Sequence, residues 1–471
     1  MSDELHWLSI GELSDRLHAR DVSSVEVTEA TLQRIEATEG TVHAYAGVMA
    51  DSALADARRA DDEFARGESR GPLHGVPVGV KDLLHTAGFP TEGGSRVLAG
   101  FVPESDAVVV TKLREAGAVI VGKTVTHEFA YGQDVPPTRN AWNHACYPGG
   151  SSAGSGVAVA VGSAYGAIGT DTGGSIRAPA SVNGVVGLKP THGRVSRRGV
   201  MPMSPTLDTT GPLTRTVRDN ALMLAAIAGG GSDDRTVIQE PVPDYAAGLT
   251  SDLRGVRVGV ERGYFFYDAV SDDVREAVDA AIARLGELGA TIVPVEIDRL
   301  ELSVPAGMAV LVGDTSEWHQ KLLRERGSLY VRETRVMLEL GEIIFATAYA
   351  KAQKVRRLLQ DSVREAFVSN DLHALAAPTL PVTTMPVEQL SVDLTGSGES
   401  AVSAFIHHCF IANLIGIPSL SIPVGFDPAE LPIGMQLFGR PFGEADLFQI
   451  GHAYQGATSW HERHPELVAV A

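Results

Sequence analysis

Two glycine- and serine-rich stretches lie close together in this 471-residue chain, PGGSSAGSG at residues 148–156 and GTDTGGSIRAP at residues 169–179. Acyl transfer to a serine needs a hydroxyl nucleophile, a base within hydrogen-bond reach and backbone N–H groups aimed at the developing oxyanion. The second stretch carries material for two of the three. Glycine tolerates positive φ, so the peptide N–H groups of Thr172, Gly173, Gly174 and Ser175 are able to curl into an anion-binding nest with Ser175 at its mouth. Asp171 and Arg177 flank the loop and are placed to pair and hold it rigid. Taken alone, DTGGSIR is a tight turn with a surface ion pair. The first stretch adds Ser151 and Ser152 just before an apolar run from Val157, beside a helix N-terminus, where the ordinary role of such residues is N-capping.

The base is not an obvious histidine. None of the 15 histidines falls in either stretch, and His74, His85, His127, His144 and His192 are scattered singly. Lys81 instead ends the apolar run of GVPVGVKDLL, where loss of water favours the neutral amine. A lysine leaving a buried strand is able to act as a base; its commoner fate is to snorkel to the surface.

These residues need elements to hold them. The apolar segment VAVAVGSAYGAI between the two stretches reads as buried structure rather than linker. Upstream, SIGELSDRLHAR and SSVEVTEATLQRIEATE carry helical periodicity with serine or aspartate N-caps. DAVVVTKLREAGAVIVGK then predicts helix, turn and buried strand, and LRGVRVGVERGYFF with SDDVREAVDAAIARLGELGATIVPVEI predicts strand, helix and strand. Helices continue to about residue 370; ALAAPTL, PSLSIPVGF and IGMQLFGR are strands, and a helix over GEADLFQIGHAYQGATSWH follows. The alternation argues for an α/β chain whose one large sheet is assembled from distant segments.

Composition narrows the partners. With 44% hydrophobic and 21% charged residues the chain is that of a globular protein, and its net charge of −19 disfavours nucleic acid and anionic membranes as partners. Its two cysteines, Cys146 and Cys409, are too few for a disulfide framework or thiolate metal site and are read as free thiols. The first residues lack the unbroken apolar region of a signal peptide, and no stretch is long and apolar enough to span a membrane, so a cytoplasmic location is expected.

GVPVGVKDLL, PGGSSAGSG and GTDTGGSIRAPA, in that order, resemble the three landmarks of the amidase signature family. The similarity extends through GVVGLKPTHGRVSRRGV, LDTTGPLTRTVRD, FIANLIGIPSLSIPVGF and PIGMQLFGRPFGEADL, nearly the whole chain. The resemblance implies one amidase domain over residues 1–471, with a helical layer over 1–70, a signature core with the catalytic residues over 71–230, and the rest of the sheet and the pocket helices over 231–471. It implies a mixed, twisted β-sheet sandwiched between helices. It also implies a Ser-Ser-Lys triad: Ser175 as nucleophile, Ser151 as a proton-relaying serine on a cis peptide bond, and Lys81 as general base. Thr172, Gly173, Gly174 and Ser175 would form the oxyanion hole, with Ser152, Asp171 and Arg177 supporting the site. No metal or organic cofactor is required. The implied partner is a small amide-type molecule, and family members are often homodimers.

Two other readings compete. Gly150-Ser151-Ser152-Ala153-Gly154 fits the G-x-S-x-G elbow of an α/β-hydrolase, which would make Ser152 the nucleophile but requires a strand immediately before it. Within the family, the chain is either a freestanding amidase or the glutamine-hydrolysing component of a tRNA-dependent amidotransferase. The tRNA-linked members resemble each other in a tyrosine-rich segment and in a carboxylate shortly before ANL. Here GEIIFATAYAKAQKVR has only Tyr349 and AFIHHCFIANL has no acid, which favours an apolar pocket and an anilide, carbamate, hydrazide or aliphatic amide. Phe129, Ala130, Tyr131 and Gln133, in THEFAYGQD, border the acyl site by the same resemblance; Trp318 and His319 are assigned nothing.

Overall fold

The computed structural model describes residues 5–131, 135–390 and 401–466. Eleven strands form one sheet: β1 (Tyr45–Val48), β2 (Pro77–Lys81), β3 (Val119–Thr124), β4 (Gly166–Asp171), β5 (Val186–Lys189), β6 (Thr209–Thr214), β7 (Arg257–Glu261), β8 (Thr291–Val295), β9 (Ala374–Pro378), β10 (Ser419–Phe426) and β11 (Pro432–Gly439). Their order is β1-β3-β2-β4-β6-β5-β10-β11-β9-β7-β8, so strands from both ends of the chain meet at the β5/β10 pair. The sheet is mixed: β2 runs parallel to β3 and β4, whereas β6, β5, β10 and β11 are antiparallel to their neighbours.

The period of two along a strand divides the core between the faces. Val119 and Val121 of β3 and Ala167 of β4 pack with the helices Ser24–Val42, Ala50–Ala65 and Ala153–Ala160, while Ile120 and Ile168 face the opposite cluster with Val108–Glu115 and Val217–Ile227. The first two helices start as their sequences predict, with full capping boxes on Ser9 and Glu12 and on Ser23 and Glu26. One strand departs from the helical reading of the N-terminal stretch: β1 is a four-residue, half-exposed edge strand, too short to show periodicity, that pairs antiparallel with β3. No helix among the described residues is long and apolar enough to cross a membrane.

Candidate active site

Parallel neighbours β2 and β4, in register at Val80 and Ile168, deliver Lys81, Thr170 and Asp171 to the same end of the sheet. The carboxyl ends of parallel strands are where α/β sheets gather ligand-facing groups. Lys81 is fully buried, and its Nζ lies 2.8 Å from Ser151 Oγ, 2.9 Å from Ser152 Oγ and 2.8 Å from Thr170 Oγ1. The Gly150–Ser151 peptide is cis, as the resemblance implies. Burial pushes the Lys81 pKa down to about 7, against the opposing pull of the Asp171 and Asp208 carboxylates.

Ser152 occupies the N-cap position of Ala153–Ala160, yet its side chain caps nothing. The hydroxyl accepts from Lys81 Nζ and the Thr170 N–H (3.2 Å) and donates to the Thr170 carbonyl (3.1 Å). It is therefore saturated, which corrects the N-capping role. The elbow reading also fails, because coil rather than strand leads into Ser152 and the hydroxyl is buried on β4.

The loop after β4 is built around Asp171. Its carboxylate accepts from Arg177 Nε (3.1 Å), Asn413 Nδ2 (2.9 Å), Ile176 N (3.1 Å) and Gly174 N (2.8 Å). Both charged side chains are fully buried, so the pair is internal rather than superficial. Burial by itself would raise the Asp171 pKa; the Arg177 guanidinium overrides it and holds the carboxyl well below the usual range. Arg177 in turn donates to Asn413 Oδ1 (2.7 Å) and Gln436 Oε1 (3.0 Å). One expectation needs correction here: the Gly174 N–H is taken by Asp171 and is not available to an oxyanion. Among the described residues no acceptor meets the N–H groups of Thr172, Gly173 or Ser175. Gly174 sits at φ +124°, and a Cβ there would approach Cys409 Cβ to 2.8 Å, so only glycine fits the loop.

Ser151, Gly173 and Ser175 line a cavity of about 130 Å³, with Ser175 half-buried. Its other walls are largely apolar and include Met308, Leu311, Met337, Phe405, Ile406 and Phe410. Ala130 and Tyr131 line it as expected, but Phe129 does not. Phe129 and Ala130 both adopt positive φ (50° and 61°), a turn that sends the Phe129 ring into the core against His319, 4.6 Å between centroids, with Trp318 and Tyr330 nearby. Gln133 lies outside the described residues. Residues not singled out from the sequence are Thr170, His127 and Tyr147, which touch Lys81 or the cavity, and Asn413 and Gln436, which anchor Arg177. A signal existed for Asn413, the single polar side chain in the run CFIANLI.

The profile of the Amidase family matches residues 26–448. This chain belongs to the amidase signature family. It is 44% identical over 463 residues to an amidase of Pseudomonas putida, with 98% of each chain covered. It is 39% identical over 494 residues to the A-type component of glutamyl-tRNA(Gln) amidotransferase from Chloroflexus aggregans, covering 98% of this chain and 99% of that one. The solved peptide amidase of Stenotrophomonas maltophilia superposes with a TM-score of 0.83 at 34% identity, covering 96% of each chain. The chain is accordingly an enzyme that hydrolyses amide C–N bonds, and the amidase fold accounts for the mixed sheet and for the clustering of the two glycine-rich stretches at one end of it.

Proposed function

We propose that the chain cleaves small amides bearing an apolar or aromatic group through an acyl-enzyme on Ser175. Neutral Lys81 accepts the Ser151 hydroxyl proton while Ser151 takes the proton of Ser175, whose Oγ attacks the carbonyl carbon. The N–H groups of Thr172, Gly173 and Ser175 receive the negative charge on the carbonyl oxygen. Ser151 then protonates the departing amine as the C–N bond breaks. Water hydrolyses the ester, and the acid leaves. The observation that carries this reading is the buried Lys81 amine held 2.8 Å from Ser151, which lines the same cavity as Ser175. A fluorophosphonate probe followed by peptide mass mapping should place the label on Ser175; a label on Ser152 would overturn the assignment.

The pH dependence follows from Lys81. Its neutral form is the base, and the folded pKa lies near 7, so kcat should rise with pH through about 7 and level off above it. A profile flat from about pH 6 to 8 would remove Lys81 from this role.

A second reading rests on the match to the glutamyl-tRNA(Gln) amidotransferase component: hydrolysis of glutamine to supply ammonia to a tRNA-linked partner reaction. The apolar cavity wall supports the freestanding amidase instead, since Phe405, Ile406 and Phe410 offer no partner to the charged end of glutamine. Assayed as the purified chain, an anilide, a carbamate or a hydrazide should be turned over faster than glutamine. Preference for glutamine, or activity only with added partner proteins, would favour the second reading.

A further inference from the structure

A second cavity, of about 230 Å³, adjoins the first across Met203, which lines both. Thr170, Thr172, Arg197, Asp208 and Thr210 form its polar wall. Two buried donors there are left over: Thr210 Oγ1, on a residue 1% exposed, and Arg197 Nε have no partner among the described residues. Unpaired buried polar atoms are costly and rare, so two in one cavity point to an occupant. Thr170 Oγ1 accepts from Lys81 Nζ and has no second partner among the described residues.

The charges around the cavity say what that occupant is. Arg197 is bonded to His192 Nε2 (2.9 Å) and to the Pro205 carbonyl; among the described residues no carboxylate forms a direct ion pair with it, and Asp208 and Asp234 act on it only from a distance. Burial, aided by Arg197, pushes the His192 pKa down to about 3, so the imidazole is neutral and adds no charge. Asp208 is the one acid in the wall, and its oxygens already accept from Thr172 Oγ1 (2.6 Å), Met203 N (2.9 Å) and Ser204 N (3.0 Å). Burial also pushes the Asp208 pKa up to about 6, which lessens its repulsion of an incoming anion. The remaining demand is for an acceptor with negative charge.

We infer that this cavity binds a small oxyanion of the carboxylate class, and that its occupancy slows hydrolysis at the neighbouring site. Thr170, which lines the cavity, is bonded to the Lys81 amine at 2.8 Å. A negative charge there, added to Asp171 and Asp208, the charged groups already acting on Lys81, favours the ammonium and withdraws the base. The acid released by amide hydrolysis belongs to this ligand class, so the arrangement amounts to feedback by product. The kinetic half of the inference rests on Lys81 being the base; the binding half does not.

Sodium formate, with sodium chloride at equal ionic strength as control, separates the two. Thr210→Val removes the free hydroxyl at nearly constant volume, and Arg197→Lys removes the Nε–H while keeping the charge. Formate should raise the thermal transition of the parent and of Ser175→Ala, and should do so clearly less in Thr210→Val and Arg197→Lys. In the parent it should lower kcat without raising KM and move the rising limb of the pH profile upward by about one pH unit. Formate acting no differently from chloride, stabilising both cavity variants as much as the parent, or competing with the amide would overturn the site. Stabilisation with an unmoved limb would overturn the coupling. A profile with no limb even without formate would instead refute Lys81 as base, and the thermal shifts would still decide the site.

Discussion

Ser175→Ala should lower amide hydrolysis by about 10⁵-fold or more and leave the thermal transition almost unmoved. The change deletes one half-buried hydroxyl at the cavity floor, while the loop that carries it stays pinned by Asp171 and Arg177. Lys81→Met should act nearly as strongly on kcat, because a thioether cannot accept the Ser151 proton. The decisive measurement is the double variant. Residues that act as one unit are not additive, so Ser175→Ala with Lys81→Met should be no slower than the worse single variant. If the two losses multiplied, the residues would be contributing independently and the relay through Ser151 would be wrong.

The second large effect concerns stability. Arg177→Met leaves the fully buried Asp171 carboxylate without its guanidinium, and breaking a buried pair in this way costs about 3–5 kcal/mol. The pH dependence of the loss has a definite sign. In the parent, Arg177 holds the Asp171 pKa below the unfolded value, so the pair stabilises the fold above that value and its contribution disappears only in strong acid. In the variant, burial acts unopposed by Arg177 and raises the carboxyl pKa, so Asp171 regains stability as the pH falls and it is protonated. Denaturant unfolding at pH 8 and pH 5 should therefore show a smaller deficit at the lower pH. A deficit equal at both would mean that Asp171 is neutralised by another partner.

Much of the candidate site is legible in the sequence because its chemistry is local. Lys81 closes an apolar run, and Ser151 and Ser175 stand in glycine-rich turns whose spacing belongs to a known family. What escaped depends on contacts between distant segments. Thr170 is one threonine in a buried strand until β2 places Lys81 beside it, and Asn413 and Gln436 have no local reason to face Arg177. Phe129 lies in a segment that the family resemblance sets beside the acyl site; two successive left-handed residues, invisible to periodicity, turn its ring the other way. The Gly174 N–H was expected in the oxyanion nest because glycine permits that geometry, but a nearby carboxylate captures it first. Short strands such as GAIGTD and TTGPLT, rich in glycine and threonine, likewise form only because the sheet on either side completes them.

The anchoring of Arg177 has a consequence for how the protein comes into being. Its partners Asn413 and Gln436 follow it by 236 and 259 residues. A ribosome delivers Lys81, Ser151 and Ser175 long before it delivers either of them. Until β10 docks on β5 and β11 on β10, the buried arginine and the aspartate it pairs with lack their remaining partners, and the loop bearing Ser175 is held only by its own bonds to Asp171. Such distant pairings form slowly and late. On the proposed mechanism the nascent chain therefore carries Lys81, Ser151 and Ser175 for much of its synthesis without being an enzyme, and catalytic competence arrives as a last event of folding rather than growing with chain length.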